Sequence, residues 1–92
     1  MKTKTYNVYS DPGHAWMKVN RAELFKLNIA DKISMYSYQR KDSVYLEEDS
    51  DLGIFVQAMK DKGIKVKFRV FVTREKNSKI RSYTRFLNIN EN

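Results

Sequence analysis

Cysteine is absent from the 92 residues. That single absence excludes disulfide frameworks, thiolate metal sites and cysteine nucleophiles together, and it fits a reducing compartment. Glycine is scarce, with Gly13, Gly53 and Gly63 each standing alone. No glycine-rich loop is left to cradle phosphates, which disfavours ATP chemistry. Proline occurs once, at Pro12, and histidine once, at His14. No apolar run approaches the ~18 residues of a membrane span. The N-terminal "MKTKTYNVYS" carries two lysines with no hydrophobic segment behind them. A soluble chain in the cytoplasm is expected. There is no internal repeat, linker or low-complexity block, so residues 1–92 form a single domain large enough to fold on one core.

What the chain has in excess is positive charge, and it lies late. From Met1 to Met59 eight basic residues face eight acidic ones; from Lys60 onward ten basic residues face Asp61, Glu75 and Glu91. The whole net charge of +7 therefore belongs to the last third. Such asymmetry speaks of attraction to polyanions through counterion release and steering.

Periodicity supplies the elements. "TYNVYS" is rich in β-formers and ends at "SDPG", where Asp11, Pro12 and Gly13 bring turn chemistry. "HAWMKV" alternates, with Ala15, Met17 and Val19 on one side and His14, Trp16 and Lys18 on the other. It leads into a helix over 21–27, started by a capping box between Asn20 and Glu23 and a staple of Val19 on Leu24. "MYSYQ" and "SVYLEE" around "RKD" read as a hairpin. "DSDLGIFVQAMKDKG" sets Leu52, Phe55, Val56 and Met59 at helical spacing after candidate caps at Asp49 to Asp51, with Gly63 as the stop. "IKVKFRVFV", Ile64 to Val72, is a strand sorted into an apolar side and a side of Lys65, Lys67, Arg69 and Phe71. A short strand is expected within 80–87, and the basic segment 73–92 is expected to be partly flexible, with fraying final residues.

These elements define an α+β fold: one mostly antiparallel sheet of four to six strands with two helices on one face. Setting the first strand aside, the order is that of the split βαβ, ferredoxin-like arrangement, in a decorated version or in a different α+β sheet. With the apolar residues turned to the helices, the opposite face would be open and would show Trp16, Lys18, Tyr45, Lys65, Lys67, Arg69 and Phe71. Aromatics interleaved with cations on an open sheet suit the stacking and phosphate neutralisation that hold single-stranded nucleic acid. The bland alternatives are a merely solvated strand face and a Trp16 covered by the C-terminal segment. The likeness of "KFRVFV" to an RNA-recognition strand is slight, because the glycines of that motif are missing.

Catalytic chemistry has little to stand on. His14 lies near Asp11 and Ser10, but adjacency in sequence does not make a triad. Asx-type turn bonding is the simpler role for Asp11. Glu47, Glu48, Asp49 and Asp51 could offer oxygens to Mg2+ or Ca2+, but they lack EF-hand spacing, and helix capping explains Asp49 to Asp51 more simply. No catalytic residue, metal site or cofactor is expected.

Taken together, "YSDPGHAWMKV", "LNIADKISMYSYQ", "VYLEEDSD" and "SKIRSYTRF" resemble a family of small accessory proteins encoded by bacteriophages and other mobile elements, over residues 6–86. The resemblance implies a phage-type protein acting in the bacterial cytoplasm, where such proteins commonly bind host machinery, and no functional residue is carried over from it. The expectation is a non-enzymatic module that binds nucleic acid or a host nucleoprotein complex through Trp16, Lys18, Lys65, Lys67, Arg69, Arg74, Lys79, Arg81 and Arg85. The alternative is an inhibitor of a host protein, of anti-defence type, that works by protein contact without nucleic acid. No membrane partner is expected.

Overall fold

The computed structural model describes residues 2–74 and 77–87. The chain folds as β1 (Lys2–Ser10), β2 (Ala15–Asn20), α1 (Arg21–Lys26), β3 (Tyr38–Arg40), β4 (Ser43–Glu47), α2 (Asp51–Asp61), β5 (Ile64–Val72) and β6 (Thr84–Arg85), with 3-10 turns at Ala30–Lys32 and Lys79–Ser82. The strands form a six-stranded mixed sheet in the order β5-β1-β2-β4-β3-β6, in which β1 and β5 are parallel and every other pair is antiparallel. The fold class is the expected α+β. A ferredoxin-like order would seat β5 directly beside β2, whereas β1 stands between them.

One face of the sheet is the core face, and alternation decides its membership. Tyr6 and Val8 of β1, Ala15, Met17 and Val19 of β2, and Val44 and Leu46 of β4 bury there with Leu24, Phe55 and Met59 of the helices. Removing Phe55 and Met59 from water contributes about 2–3 kcal/mol each and fixes α2 on the sheet. Of the four α2 residues read from spacing, these two are fully buried, while Leu52 and Val56 lie at the margin. Gly63 ends this stretch at φ 75°, a left-handed conformation that glycine adopts without steric cost.

The start of α1 is built as its sequence dictates. The Asn20 side chain accepts from the backbone of Ala22, and the Glu23 side chain accepts from the Asn20 N–H at 3.0 Å. Glu23 also accepts from the Tyr6 hydroxyl at 2.5 Å and pairs with Lys4 at 3.0 Å. Burial pushes the Glu23 carboxyl upward, but the Tyr6, Asn20 and Lys4 donors outweigh it and leave it below its usual range. Burial and the same carboxylate push the Tyr6 phenol well above its usual value.

α2 begins differently from expectation. No side chain caps it at Ser50, and Asp51 is turned inward at 1% exposure. Its carboxylate accepts from Ser34 N–H, from Ser34 Oγ at 2.7 Å and from Ser37 Oγ at 2.5 Å, while Ser37 Oγ accepts from Glu47 N–H. Asp51 therefore ties the loop before β3 to the end of β4, and its first role is not the capping of its own helix. Asp51→Ala leaves these donors without their charged acceptor. The expected cost is roughly 3 kcal/mol, read as a lower urea midpoint with an unchanged m-value.

Candidate functional site

The site lies on the second face of the sheet, and its form follows from one turn. Asp11, at the end of β1, has a side chain with no solvent exposure. Its Oδ1 accepts from the backbone of Gly13 and His14, each at 2.9 Å, which is the Asx turn expected from "SDPG". The same carboxylate reaches seventy residues along the chain. Arg81 donates to it twice, Nε to Oδ2 at 2.7 Å and Nη2 to Oδ1 at 3.0 Å, and Ser78 N–H donates to Oδ2 at 2.8 Å. The Arg81 guanidinium, with the backbone donors of Ser78, His14 and Gly13, overcomes burial and holds the Asp11 carboxyl far below its ordinary range. Gly13 leaves space for this clamp, since a Cβ there would stand 2.8 Å from Arg81 Nη2.

The clamp lays residues 78–83 across the middle of this face. Ile80 at 3% exposure joins Trp16, Tyr38 and Tyr45 in a second small core, flanked by Tyr9 and Tyr83. Three guanidiniums stack over its rings: Arg81 over Trp16, Arg85 over Tyr38 and Arg40 over Tyr83, at 5.2, 4.7 and 5.5 Å from the centroids. Phe86 crosses to the core face, where it is 2% exposed, and its N–H donates to Ser37 O at 2.8 Å. Within the segment 73–92, residues 78–86 are thus held to the sheet at Asp11 and at Ser37. Residues 75, 76 and 88–92, including the final residues expected to fray, lie outside the described ones.

The expected surface differs at four residues. Trp16 is 1% exposed and Tyr45 7%, so neither offers a ring to a partner. Arg81 is committed to Asp11. Arg85 is partly committed, donating to Met35 O and lying over Tyr38.

What stays open is the half of the face beyond the clamp, on β5, β1 and the end of β2. The parallel register sets Lys65 beside Thr3, Lys67 beside Thr5, Arg69 beside Asn7 and Phe71 beside Tyr9. Lys18, on β2, is exposed on the same face. Successive cations on β5 are separated by about 6.6 Å, two strand rises. The neighbours on β1 are small and neutral, so no carboxylate of the adjacent strand quenches the row. Phe71, 46% exposed, stacks on Tyr9 at 5.4 Å and 20°, and ends the row with an aromatic surface. The β1–β2 ladder runs only from Val8–Met17 to Ser10–Ala15. Where it stops, Thr5, Asn7, Lys18, Asn20, Ser43 and Arg69 line a polar cleft of about 490 Å3 together with Glu23, whose carboxylate is paired with Lys4.

No ion pair among the described residues involves Lys18, Lys65, Lys67, Arg69, Arg74 or Lys79. The structure therefore brings Lys18, Lys65, Lys67 and Arg69 onto one face, buries Trp16, ties the half-buried Arg81 to Asp11, and sets Arg74 and Lys79 exposed at the far end of β5 and on the clamp segment. Thr3, Thr5 and Asn7, which floor the row, were missed because only the pairing of β1 with β5 brings them there. The alternating "KTKTYN" was the one signal that this strand also has a polar side.

No protein-family model matches the chain, and no curated protein or solved structure is significantly similar to it. No helix among the described residues is long and apolar enough to cross a membrane.

Arg81→Ala strands the buried Asp11 carboxylate. The expected loss at pH 7 is roughly 3 kcal/mol in urea unfolding, with a red shift of the emission of Trp16, the only tryptophan. Since the folded-state pKa of Asp11 is depressed, the clamp's contribution is complete above the ordinary carboxylate pKa of about 3.9 and is lost as pH falls through the lower folded value. The difference between wild type and variant should therefore narrow on acidification below about pH 4.

Proposed function

We propose that this chain is a non-enzymatic accessory protein of phage type that binds nucleic acid, free or within a host nucleoprotein complex, through the open half of its second sheet face. The observation that carries the reading is the row Lys65, Lys67 and Arg69 on β5, joined by Lys18 and floored by Thr3, Thr5 and Asn7. Phosphates are neutralised by such a row without any reading of sequence, and the ring of Phe71 can take a base in stacking. Single strands fit this surface better than a duplex. The row is a shallow platform with an aromatic at its end, and no described helix stands on this face to enter a major groove. Arg74 and Lys79 would extend the positive field past Phe71.

A second reading has its own observation. β5 is an edge strand whose outer edge pairs with nothing in the sheet, and on its core side Phe68, Val70 and Val72 are 48%, 58% and 71% exposed. A long apolar edge invites a strand from another protein. An inhibitor of a host protein that works without nucleic acid would use this edge.

Titration of a labelled single-stranded oligonucleotide at two salt concentrations separates the readings. The proposal expects binding that weakens with salt. Replacing Lys65, Lys67 and Arg69 together by Ala should make the slope of log K against log salt shallower by about 2, at ~0.7 per phosphate contact for single strands. Stability should move little, since all three side chains are exposed. Absence of any salt-dependent binding moves the function to the protein-contact reading, and a triple variant that binds like wild type removes this row as the nucleic-acid surface.

A further inference from the structure

The β2–β4 register places a third group of residues on the second face, at the end away from the basic row. Trp16 lies opposite Glu47, and Glu48 N–H donates to Ala15 O at 3.1 Å, carrying the ladder one rung further. His14, just before β2, Glu47, at the end of β4, and Asp49, on the following turn, line one cleft of about 380 Å3. One ligand atom from each of the three lies within 4.8 Å of the others.

The state of Glu47 makes this more than a cluster of acids. Glu47 is 7% exposed. Its Oε1 accepts from Asp49 N–H and Ser50 Oγ, each at 3.1 Å, which fixes the plane of the carboxylate. Its Oε2 is buried, and its one close partner is His14 Nδ1 at 3.2 Å, an ion pair when the imidazole is protonated. With the imidazole neutral, the nitrogen and the oxygen face each other as two ligands of one cation would. The separation fits this, because two ligands of a tetrahedral cation with bonds of about 2.0 Å stand roughly 3.3 Å apart. The exposed Asp49 closes the remaining distance by rotation of its side chain.

We propose that His14 Nδ1, Glu47 Oε2 and a carboxylate oxygen of Asp49 bind one divalent transition-metal ion of the zinc type. An imidazole with two carboxylates suits Zn2+ and its neighbours, whereas Mg2+ and Ca2+ prefer oxygen alone. Three protein ligands leave a coordination position toward the cleft. Arg81 and Arg85 also line the cleft, and their guanidiniums offer donors only. Water or an anion completes the shell. Ser50, through its bond to Oε1, is a positioning residue for Glu47.

Isothermal titration of the chelator-treated full chain with ZnCl2 tests the assignment, with MgCl2 and CaCl2 titrated in parallel. The expected result is one saturable Zn2+ site per chain, a simultaneous change in Trp16 fluorescence, and no comparable Mg2+ or Ca2+ binding; the His14 and Trp16 rings are 6.0 Å apart. His14→Ala and Asp49→Asn should each weaken Zn2+ binding by about tenfold or more with the circular dichroism spectrum retained. Asp49 is exposed on a turn, so its variant decides the matter even if a change at His14 disturbs the fold. The proposal is overturned by the absence of a saturable heat, by equal affinity for Mg2+, or by Zn2+ affinity unchanged in Asp49→Asn.

Discussion

The buried carboxylate of Asp11 governs the second face of this protein. It takes five hydrogen bonds, two from its own turn, one from the Ser78 backbone and two from Arg81. A buried charge is tolerable only when it is paired and fully bonded, and the partners it recruits come from the far end of the chain. The pairing therefore joins two ends of the sequence across the sheet. Through it the segment 78–83 is drawn over Trp16, Tyr38 and Tyr45, and a face that alternation alone would leave open becomes half core.

The division has chemical consequences for each part of that face. Over β2, β4 and β3 the arginines are spent on the protein's own rings, so positive charge there serves packing. Over β5 and β1 the cations stand beside threonines and an asparagine, and no ion pair among the described residues engages them. Between the clamp and the β4–α2 turn, Glu47 lines a cleft with its Oε2 3.2 Å from His14 Nδ1. The late excess of positive charge thus separates into an internal share, with Arg81 as its anchor, and an outward share centred on Lys65, Lys67 and Arg69.

Much of the fold was legible because it is local. The capping box of Asn20 and Glu23, the Asx turn of Asp11, the Gly63 stop and the two-sidedness of β2 and β5 are each decided within a few residues, where spacing and side-chain chemistry act directly. What could not be read depends on partners distant in sequence. Nothing in "KTKTYN" says that it lies parallel to β5, and so the strand that separates β5 from β2 was set aside. Asp51 carried every mark of a helix cap, but two serines from the preceding loop hold it inside. The covering of Trp16 could be entertained from the sequence but not decided, because "SKIRSY" shows a single apolar residue and its anchoring arginine is indistinguishable from the surface cations around it. At the site, the cationic row was visible in the alternation of β5, while its neutral floor and the withdrawal of Trp16 and Arg81 required the sheet.

The account depends on residues 78–86 being held against the sheet by Asp11 and by the Phe86 contact. Amide hydrogen exchange resolved by residue measures that directly. The amides of Ser78 and Phe86, bonded to Asp11 Oδ2 and Ser37 O, should be protected to an extent comparable with the strand amides of β2 and β4. Exchange of these two amides at the rate of an unstructured chain would mean that the second face is open along its whole width, and would contradict the account.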